Sequence, residues 1–106
     1  MEQRDSLQKA LSLLFRAVPT GSQVILFGSR ARGGARANSD YDFLVVEPRV
    51  SDRFAEEVRL SSLLGAALIP ADVVVLSRAT FDRWRAEPNS LAGRAWKEGR
   101  IYEPAA

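Results

Sequence analysis

Two aspartates, Asp40 and Asp42, are the side chains in this sequence whose type and spacing best suit chemistry. They stand two residues apart at the start of a predicted strand. Because side chains alternate along a strand, both carboxylates project from the same face. Two close carboxylates repel each other, so such a pair persists most easily with a cation between them or water around both. Hard oxygen ligands favour Mg²⁺ or Mn²⁺ over Zn²⁺.

The pair also has a purely structural interpretation, in which Asp40 caps a turn and Asp42 lies on a solvated strand edge. A second motif favours a catalytic interpretation of the pair over the structural one. Gly28-Ser29 stands where an apolar run gives way to a segment rich in Gly and Arg. Glycine lets the backbone approach an anion closely, and the Ser29 hydroxyl and nearby N–H groups can donate to phosphate oxygens.

Arginines follow this motif at Arg30, Arg32 and Arg36, and they can add positive charge around a triphosphate. We assign Arg30 to nucleotide binding with Gly28 and Ser29, and we interpret the other two as surface charges. The alternative for the whole segment is a simple turn with arginines that face solvent.

Asp72 is the third acidic candidate, because it opens a strand that is otherwise Val-Val-Val-Leu. A carboxylate gains nothing from burial there unless it has a partner, so the alternative is a strand-end aspartate in solvent. If the strand of Asp72 pairs beside the strand of Asp42, all three carboxylates converge. The sequence alone leaves this pairing open.

The composition excludes several kinds of catalytic and metal-binding chemistry. The chain has no histidine and no cysteine, which excludes imidazole catalysis, disulfides and thiolate metal sites. The net charge is only +2, with the basic residues spread along the chain, so we do not expect a nucleic-acid partner. No apolar run approaches the roughly 20 residues that span a bilayer, and the N-terminus is too polar for a signal peptide. We expect a cytoplasmic protein.

The 106 residues fit one domain, 1–106, in the order α-β-loop-β-α-β-α-α, which indicates an α/β fold. Strands are predicted at 24–27, 41–46 and 72–76, and a loop or one helical turn at 29–39. Helices are predicted from Asp5 to Val18 and at 52–68, 80–85 and 90–98, the last ending at a left-handed Gly99.

The longest helix is predicted to begin at Ser51 or Asp52 and to carry a broad apolar stripe. Its members are Phe54, Val58, Leu63, Leu64, Ala67 and Leu68. We expect Trp84 and Trp96 to pack in the core.

These motifs together resemble the signature of the DNA polymerase beta-like nucleotidyltransferase superfamily. The family pattern is a strand ending in Gly-Ser, an Arg-rich loop, Ser-Asp-x-Asp on the next strand and a third acidic residue on a later strand. The matching segments are Gly28-Ser29-Arg30-Ala31-Arg32-Gly33, Ser39-Asp40-Tyr41-Asp42 and Ala71-Asp72-Val73. The resemblance covers residues 5–103 and extends to the size of the minimal nucleotidyltransferases. It implies a small mixed sheet of three or more strands packed against helices.

The resemblance also implies a mechanism with two Mg²⁺ ions, or Mn²⁺ in their place, and ATP as the substrate. Asp40 and Asp42 then hold Mg²⁺ on the triphosphate. Asp72 completes a second metal position near the attacking hydroxyl and can accept its proton. Gly28, Ser29 and Arg30 bind the nucleotide phosphates.

Minimal members resemble antitoxins that are paired with HEPN-domain toxins, and larger members carry an added helical substrate domain for which this chain has no room. We therefore predict transfer of AMP from ATP to a hydroxyl of a HEPN-type protein partner, within a hetero-oligomer. Two alternatives remain open at this point. The chain can act as a non-catalytic antitoxin that occludes its partner, or it can modify a small molecule or a nucleic-acid end.

Overall fold

A computed structural model describes residues 3–28 and 40–104, with side chains described from residue 5 onward. Four helices and four strands make up this part of the chain, so the predicted α/β fold is confirmed. The helices are α1 (Gln3–Ala17), α2 (Arg53–Ala66), α3 (Arg78–Trp84) and α4 (Leu91–Glu98). The strands are β1 (Gln23–Phe27), β2 (Tyr41–Glu47), β3 (Ala71–Ser77) and β4 (Arg100–Tyr102). Within these residues, no helix combines the length and the apolar character needed to cross a membrane.

The four strands form one mixed sheet in the order β3-β2-β1-β4. β1 is antiparallel to both β2 and β4, whereas β2 and β3 are parallel. A parallel pair needs a long crossover connection, and α2 supplies it. The sheet therefore confirms the mixed architecture that the resemblance implies.

Alternation along the strands sends apolar side chains to both faces of the sheet. One face lies under α1 and α2, and its buried residues include Val24, Leu26, Phe43, Val45 and Val75. The opposite face lies under α3 and α4, and its buried residues include Ile25, Leu44, Val46, Phe81 and Ala95. Because both faces of the central strands are covered, these strands read as continuous apolar runs.

Strand β4 has no counterpart among the predicted elements, and the prediction for Gly99 just before it is wrong. Gly99 is extended, with φ −83° and ψ 169°. A Cβ atom at Gly99 would lie 2.5 Å from both the Ala95 carbonyl oxygen and Ile25 Cγ2. Glycine is therefore required here by the close approach of α4 to β1, and not by a left-handed turn.

Helix α2 begins as predicted, but fewer of its apolar side chains are buried than the predicted apolar stripe contains. The Asp52 carboxylate caps it by accepting from the Ala55 N–H at 3.0 Å. Three members of the predicted stripe are exposed, so their predicted burial is wrong: Phe54 at 75%, Val58 at 47% and Leu68 at 89%. Leu60 and Leu64 are fully buried. Phe54 stands six residues before Leu60, about 120° around the helix from it, so its side chain points away from the sheet.

The prediction that both tryptophans pack in the core is also wrong. Trp84 and Trp96 are each 47% exposed, and Phe81 is the buried aromatic of this region. The Trp96 ring meets Phe81 edge to face at 6.1 Å between centroids. The Arg85 guanidinium also contacts the Trp96 ring, and it lies 4.6 Å from the ring centroid. Trp96 thus covers the edge of the core while keeping part of its ring in solvent.

Glu47, the last residue of β2, is a carboxyl group buried under α2 with only 3% exposure. Burial and a hydrogen bond with the Glu56 side chain raise the pKa of Glu47 to about 8. A hydrogen bond from Arg59 lowers the pKa of Glu56 to about 2. Two carboxyl groups can hydrogen-bond to each other only when one of them carries a proton. Glu47 is therefore the protonated donor and Glu56 the charged acceptor.

This pair makes stability depend on pH. The raised pKa of Glu47 contributes stability that is complete below its ordinary value of 4.5 and is lost as the pH rises to about 8. We expect the free energy of unfolding of the wild type to fall by about 3 kcal/mol between pH 5 and pH 8, because the native pair keeps one proton over most of this interval whereas the unfolded chain releases both. Glu47→Gln keeps the neutral shape and the donor, so its stability should stay nearly constant over this interval.

Denaturant unfolding at half-unit pH steps measures this difference. Glu87→Gln is the matched control, because Glu87 is exposed and lies far along the chain from this pair. The control should retain the slope of the wild type. An identical slope in Glu47→Gln would contradict the assignment.

Candidate active site

The predicted acidic residues gather at one edge of the sheet, where β1 ends and both β2 and β3 begin. The N–H of Tyr41, the first residue of β2, donates to the Pro70 carbonyl oxygen just before β3 at 3.1 Å. The Tyr41 ring also stacks on Phe43 at 5.5 Å. These contacts fix the starts of β2 and β3 side by side. This positioning role of Tyr41 was not predicted, although an aromatic residue between two aspartates is a visible signal in the sequence.

Asp42 and Asp72 are direct partners in the parallel ladder between β2 and β3. Neighbouring strands lie about 4.8 Å apart, and residues in register share one face of the sheet. Leu44 and Val74, two residues further along each strand, point to the side covered by α3 and α4. Asp42 and Asp72 therefore stand together on this side, which resolves the pairing that the sequence left open.

Asp40 lies two residues before Asp42 and is exposed, as is Asp72. Asp42 is less accessible than either of them, because it stands between Phe27 of β1 and Asp72 of β3 in the sheet register. Burial, the charge of Asp72 and the charge of Asp40, in that order, raise the pKa of Asp42. The charges of Asp72 and Asp40 thus repel the charge of Asp42, and a cation placed beside Asp42 would relieve this repulsion.

Gly28 follows β1 and approaches Asp42 closely. Its φ of +77° lies in the left-handed region that L side chains rarely adopt. A Cβ atom at Gly28 would collide with Oδ2 of Asp42 and lie 3.2 Å from its Cγ. The glycine therefore leaves room for the Asp42 carboxylate and turns the chain away at the end of the strand.

The donor set fits a hard divalent cation. Among the residues that the structure describes, no three acidic side chains are close enough to form a complete metal cage. Mg²⁺ does not need one, because it is usually held by one or two carboxylates together with substrate phosphates and water. Asp42 and Asp72, with Asp40 beside them, provide oxygen ligands of this kind. The arrangement can hold a metal-bound triphosphate.

The other predicted nucleotide-binding residues, Ser29 and Arg30, lie outside the described residues, as do Arg32 and Arg36. Gly28 is the last described residue before them, and Asp40 is the first after them. The predictions for Ser29 and Arg30 therefore stay predictions.

A mixed sheet with carboxylates at the paired starts of two strands, and a glycine turn against one of them, defines a protein of the nucleotidyltransferase class. Comparison with protein families gives the same result. The family described as "Nucleotidyltransferase domain" matches residues 5–102. The chain therefore belongs to the nucleotidyltransferase domain family. No curated protein matches the chain.

Solved structures share this fold. A chain of a mutant MntA-HpeT toxin–antitoxin complex is 24% identical with a TM-score of 0.64, and the match covers 89% of this chain and 69% of that one. The complex of a tri-AMPylated Shewanella oneidensis HEPN toxin with its MNT antitoxin gives 20% identity and a TM-score of 0.60, over 94% of this chain and 71% of that one. A toxin–antitoxin structure with AMP-PNP gives 22% identity and a TM-score of 0.58, over 94% and 72%.

The close approach at Gly28 predicts that Gly28→Ala disrupts the site. The new methyl group must displace the Asp42 carboxylate, and the positive φ adds strain. We expect a loss of about 1–2 kcal/mol in the free energy of unfolding. We also expect at least about a 100-fold loss of nucleotidyl transfer, because a displacement of about 1 Å is enough for such an effect.

Chemical denaturation and a transfer assay at equal enzyme concentration measure the two effects. Gly65→Ala is the control, since no atom lies within 4 Å of a Cβ at that position. The control should keep full activity and gain a little stability from its better helix propensity. Wild-type activity in Gly28→Ala would show that the contact with Asp42 does not matter for the reaction.

Proposed function

We propose that this chain is a Mg²⁺-dependent nucleotidyltransferase that moves AMP from ATP to a hydroxyl group of a protein partner. The observation that carries the proposal is the register pairing of Asp42 with Asp72 in a member of the nucleotidyltransferase domain family. The chain has no histidine, so a carboxylate must manage the proton of the attacking hydroxyl. We further propose that residues 1–106 act as a single domain and work in the cytoplasm, where ATP is available.

In the proposed mechanism, Asp40 and Asp42 hold the metal-bound triphosphate, while Gly28, Ser29 and Arg30 contact its phosphate oxygens. The bound Mg²⁺ ions supply charge neutralisation and polarisation of the phosphates. The exposed carboxylate of Asp72 orients the acceptor hydroxyl and takes up its proton. The hydroxyl oxygen forms a bond to the α-phosphorus, the bond to the β-phosphate oxygen breaks, and pyrophosphate leaves with that electron pair.

We propose a HEPN-domain protein as the partner, and a hetero-oligomer with it as the working assembly. Three of the structural neighbours support this choice, because they are toxin–antitoxin structures. In one of them the HEPN toxin is tri-AMPylated, and another contains AMP-PNP. The fold shared with these structures, together with the membership of this chain in the nucleotidyltransferase domain family, supports the same reaction for this chain.

Labelling of the partner tests the proposal. The purified chain is incubated with Mg²⁺, ATP labelled at the α-phosphate and the HEPN-domain protein encoded beside it. We expect label on a hydroxyl side chain of that protein. Asp42→Asn and Asp72→Asn should each reduce the labelling rate at least about 1000-fold, because each removes charge that the transition state requires. Asp82→Asn, in an exposed ion pair on α3, should label at the wild-type rate.

The remaining outcomes separate the alternatives. Full neutralisation of the partner by Asp42→Asn, without label in any sample, would favour occlusion and overturn the catalytic proposal. Pyrophosphate release with a small-molecule or nucleic-acid acceptor, and none with the protein, would assign a different acceptor.

Mg²⁺ should also stabilise the fold, since it offsets the burial of the Asp42 charge and the repulsion by Asp72 and Asp40, which together raise the pKa of Asp42. At about ten times its dissociation constant, the ion should add about 1.4 kcal/mol to the free energy of unfolding. Asp42→Asn should be more stable than the wild type without metal, because it removes one of the repelling charges. The variant should lose most of the response to Mg²⁺. Thermal unfolding with Mg²⁺ and with chelator measures both effects, and an undiminished response in Asp42→Asn would exclude Asp42 as a ligand.

A further inference from the structure

Strand β3 forms an outer edge of the sheet, because the described strands follow the order β3-β2-β1-β4. Backbone N–H and C=O groups of successive residues point alternately to the two sides of a strand. The Tyr41 N–H donates to the Pro70 carbonyl oxygen, so Pro70 faces β2. Alternation then directs the backbone groups of Asp72 to β2 as well. The backbone groups of Ala71 and Val73 point outward, away from the sheet.

Further along this edge, a side chain of α2 covers the outward N–H of Val75. This N–H donates to Oε2 of Glu57 at 2.9 Å, and the same oxygen accepts from Nε of Arg53 at 2.9 Å. Charged side chains commonly protect an edge strand from pairing with another chain. Within the described part of the chain, no such acceptor is bonded to the outward N–H of Ala71 or Val73. The protection therefore covers the far half of β3 and ends before the acidic residues.

The sequence of α2 explains where this protection ends. The helix returns the chain from the end of β2 to the start of β3, so it runs opposite to β3. Four helix residues advance about 6 Å and two strand residues about 6.6 Å, so Ser61 stands level with Val73 as Glu57 does with Val75. Ser61 and Glu57 are both half-buried and share one side of the helix. Serine brings no carboxylate to the edge beside Val73.

We propose that an extended segment of the acceptor protein pairs with the outward edge at Ala71 and Val73 and places its hydroxyl side chain beside Asp72. This inference rests on the function proposed above and identifies how the acceptor reaches that site. A strand edge specifies the kind of occupant, because its regularly spaced donors and acceptors are matched by another extended backbone. The Glu57 carboxylate limits the pairing to the first half of β3, which suits a substrate that must leave after transfer.

The register of this pairing determines where the hydroxyl lies. Residues opposite each other on neighbouring strands share one face of the sheet, so a side chain opposite Asp72 lies on the side of Asp72 and Asp42. Because the backbone groups of Asp72 face β2, an antiparallel segment forms a non-hydrogen-bonded pair here, with Cα atoms about 4.5 Å apart. This is the closer of the two cross-strand spacings. The hydroxyl thus comes within reach of the carboxylate that takes up its proton.

Ser61→Glu tests the proposal without a change in β3. The new carboxylate stands one helical turn after Glu57 and can accept from the Val73 N–H, so it extends the existing protection towards the active site. The dissociation constant for the HEPN-domain partner should rise at least about tenfold, because hydrogen bonds of the pairing are lost. The KM for the partner should rise with it, while the KM for ATP stays within twofold. Thermal unfolding should occur no earlier than in the wild type.

Ser62→Glu is the matched control. It adds the same side chain and the same charge to α2, but Ser62 is exposed and lies about 100° around the helix from Ser61. Its dissociation constant and its KM for the partner should match those of the wild type within twofold. Titration of purified partner without ATP measures binding, and labelling at varied partner concentration measures transfer. Equal weakening in both variants would overturn the proposal, because it would assign the effect to charge on α2.

Amide hydrogen exchange detects the pairing at the edge itself. In the complex formed without ATP, the N–H groups of Ala71 and Val73 should exchange at least about tenfold more slowly than in the free chain. The Val75 N–H is already bonded to Glu57, so its exchange should change less. Unchanged exchange at Ala71 and Val73 in the complex would overturn the proposal.

The two proposals fail in different ways. If the partner slows exchange at Ala71 and Val73 and binds Ser61→Glu weakly, but no AMP is transferred, the edge pairing holds and the proposed reaction does not. If transfer occurs with equal KM for the wild type and Ser61→Glu, the edge pairing is overturned. The absence of any complex with the wild type overturns it as well. Slow exchange that appears in the chain alone as its concentration rises would assign the edge to a second copy and overturn acceptor docking there.

Discussion

The parallel pairing of β2 with β3 is the interaction on which the rest of the structure depends. A parallel pair requires a crossover, and α2 provides it by burying Leu60 and Leu64 on one face of the sheet. Helices α3 and α4 cover the opposite face, where the two aspartates of the ladder also point. The register decides the chemistry as well as the fold. A shift of one residue in β3 would move Asp72 to the other side of the sheet and leave Asp42 without its neighbour.

Strand β2 carries a carboxyl group near each end, and the two groups differ in how repulsion by neighbouring carboxylates is relieved. At the open edge, the charges of Asp72 and Asp40 repel the charge of Asp42, and this repulsion persists because Asp40 and Asp72 are exposed to water. Beneath α2, Glu47 is buried beside Glu56. The two carboxyl groups do not repel each other there, because Glu47 is protonated and Arg59 pairs with the charged Glu56. The repulsion between carboxylates that a proton and Arg59 relieve beneath α2 therefore remains at the edge formed by Asp40, Asp42 and Asp72.

The three long strands, β1, β2 and β3, could be predicted from the sequence, because they are apolar runs bounded by Gly, Pro and Asp. The acidic motif also identified the family. Strand β4 could not be predicted, since its three residues have no apolar alternation and become a strand only by pairing with β1. The burial predicted for Phe54, Leu68 and the two tryptophans was wrong because apolar content does not specify direction. A broad stripe on a helix does not reveal how wide the sheet beneath it is.

Two of these errors concern exposed apolar residues of α2 and of the turn that follows it. Phe54 lies at one end of α2 and Leu68 at the other, and only Leu68 adjoins the acidic edge, where its backbone is also strained. Exposure alone is common on protein surfaces, whereas exposure together with strain lowers stability without return to the isolated chain. The repulsion of Asp42 by Asp72 and Asp40 likewise lowers the stability of the isolated chain. A cation bound at the edge of β2 and β3 would relieve this repulsion, so binding and stability are expected to be coupled at this edge.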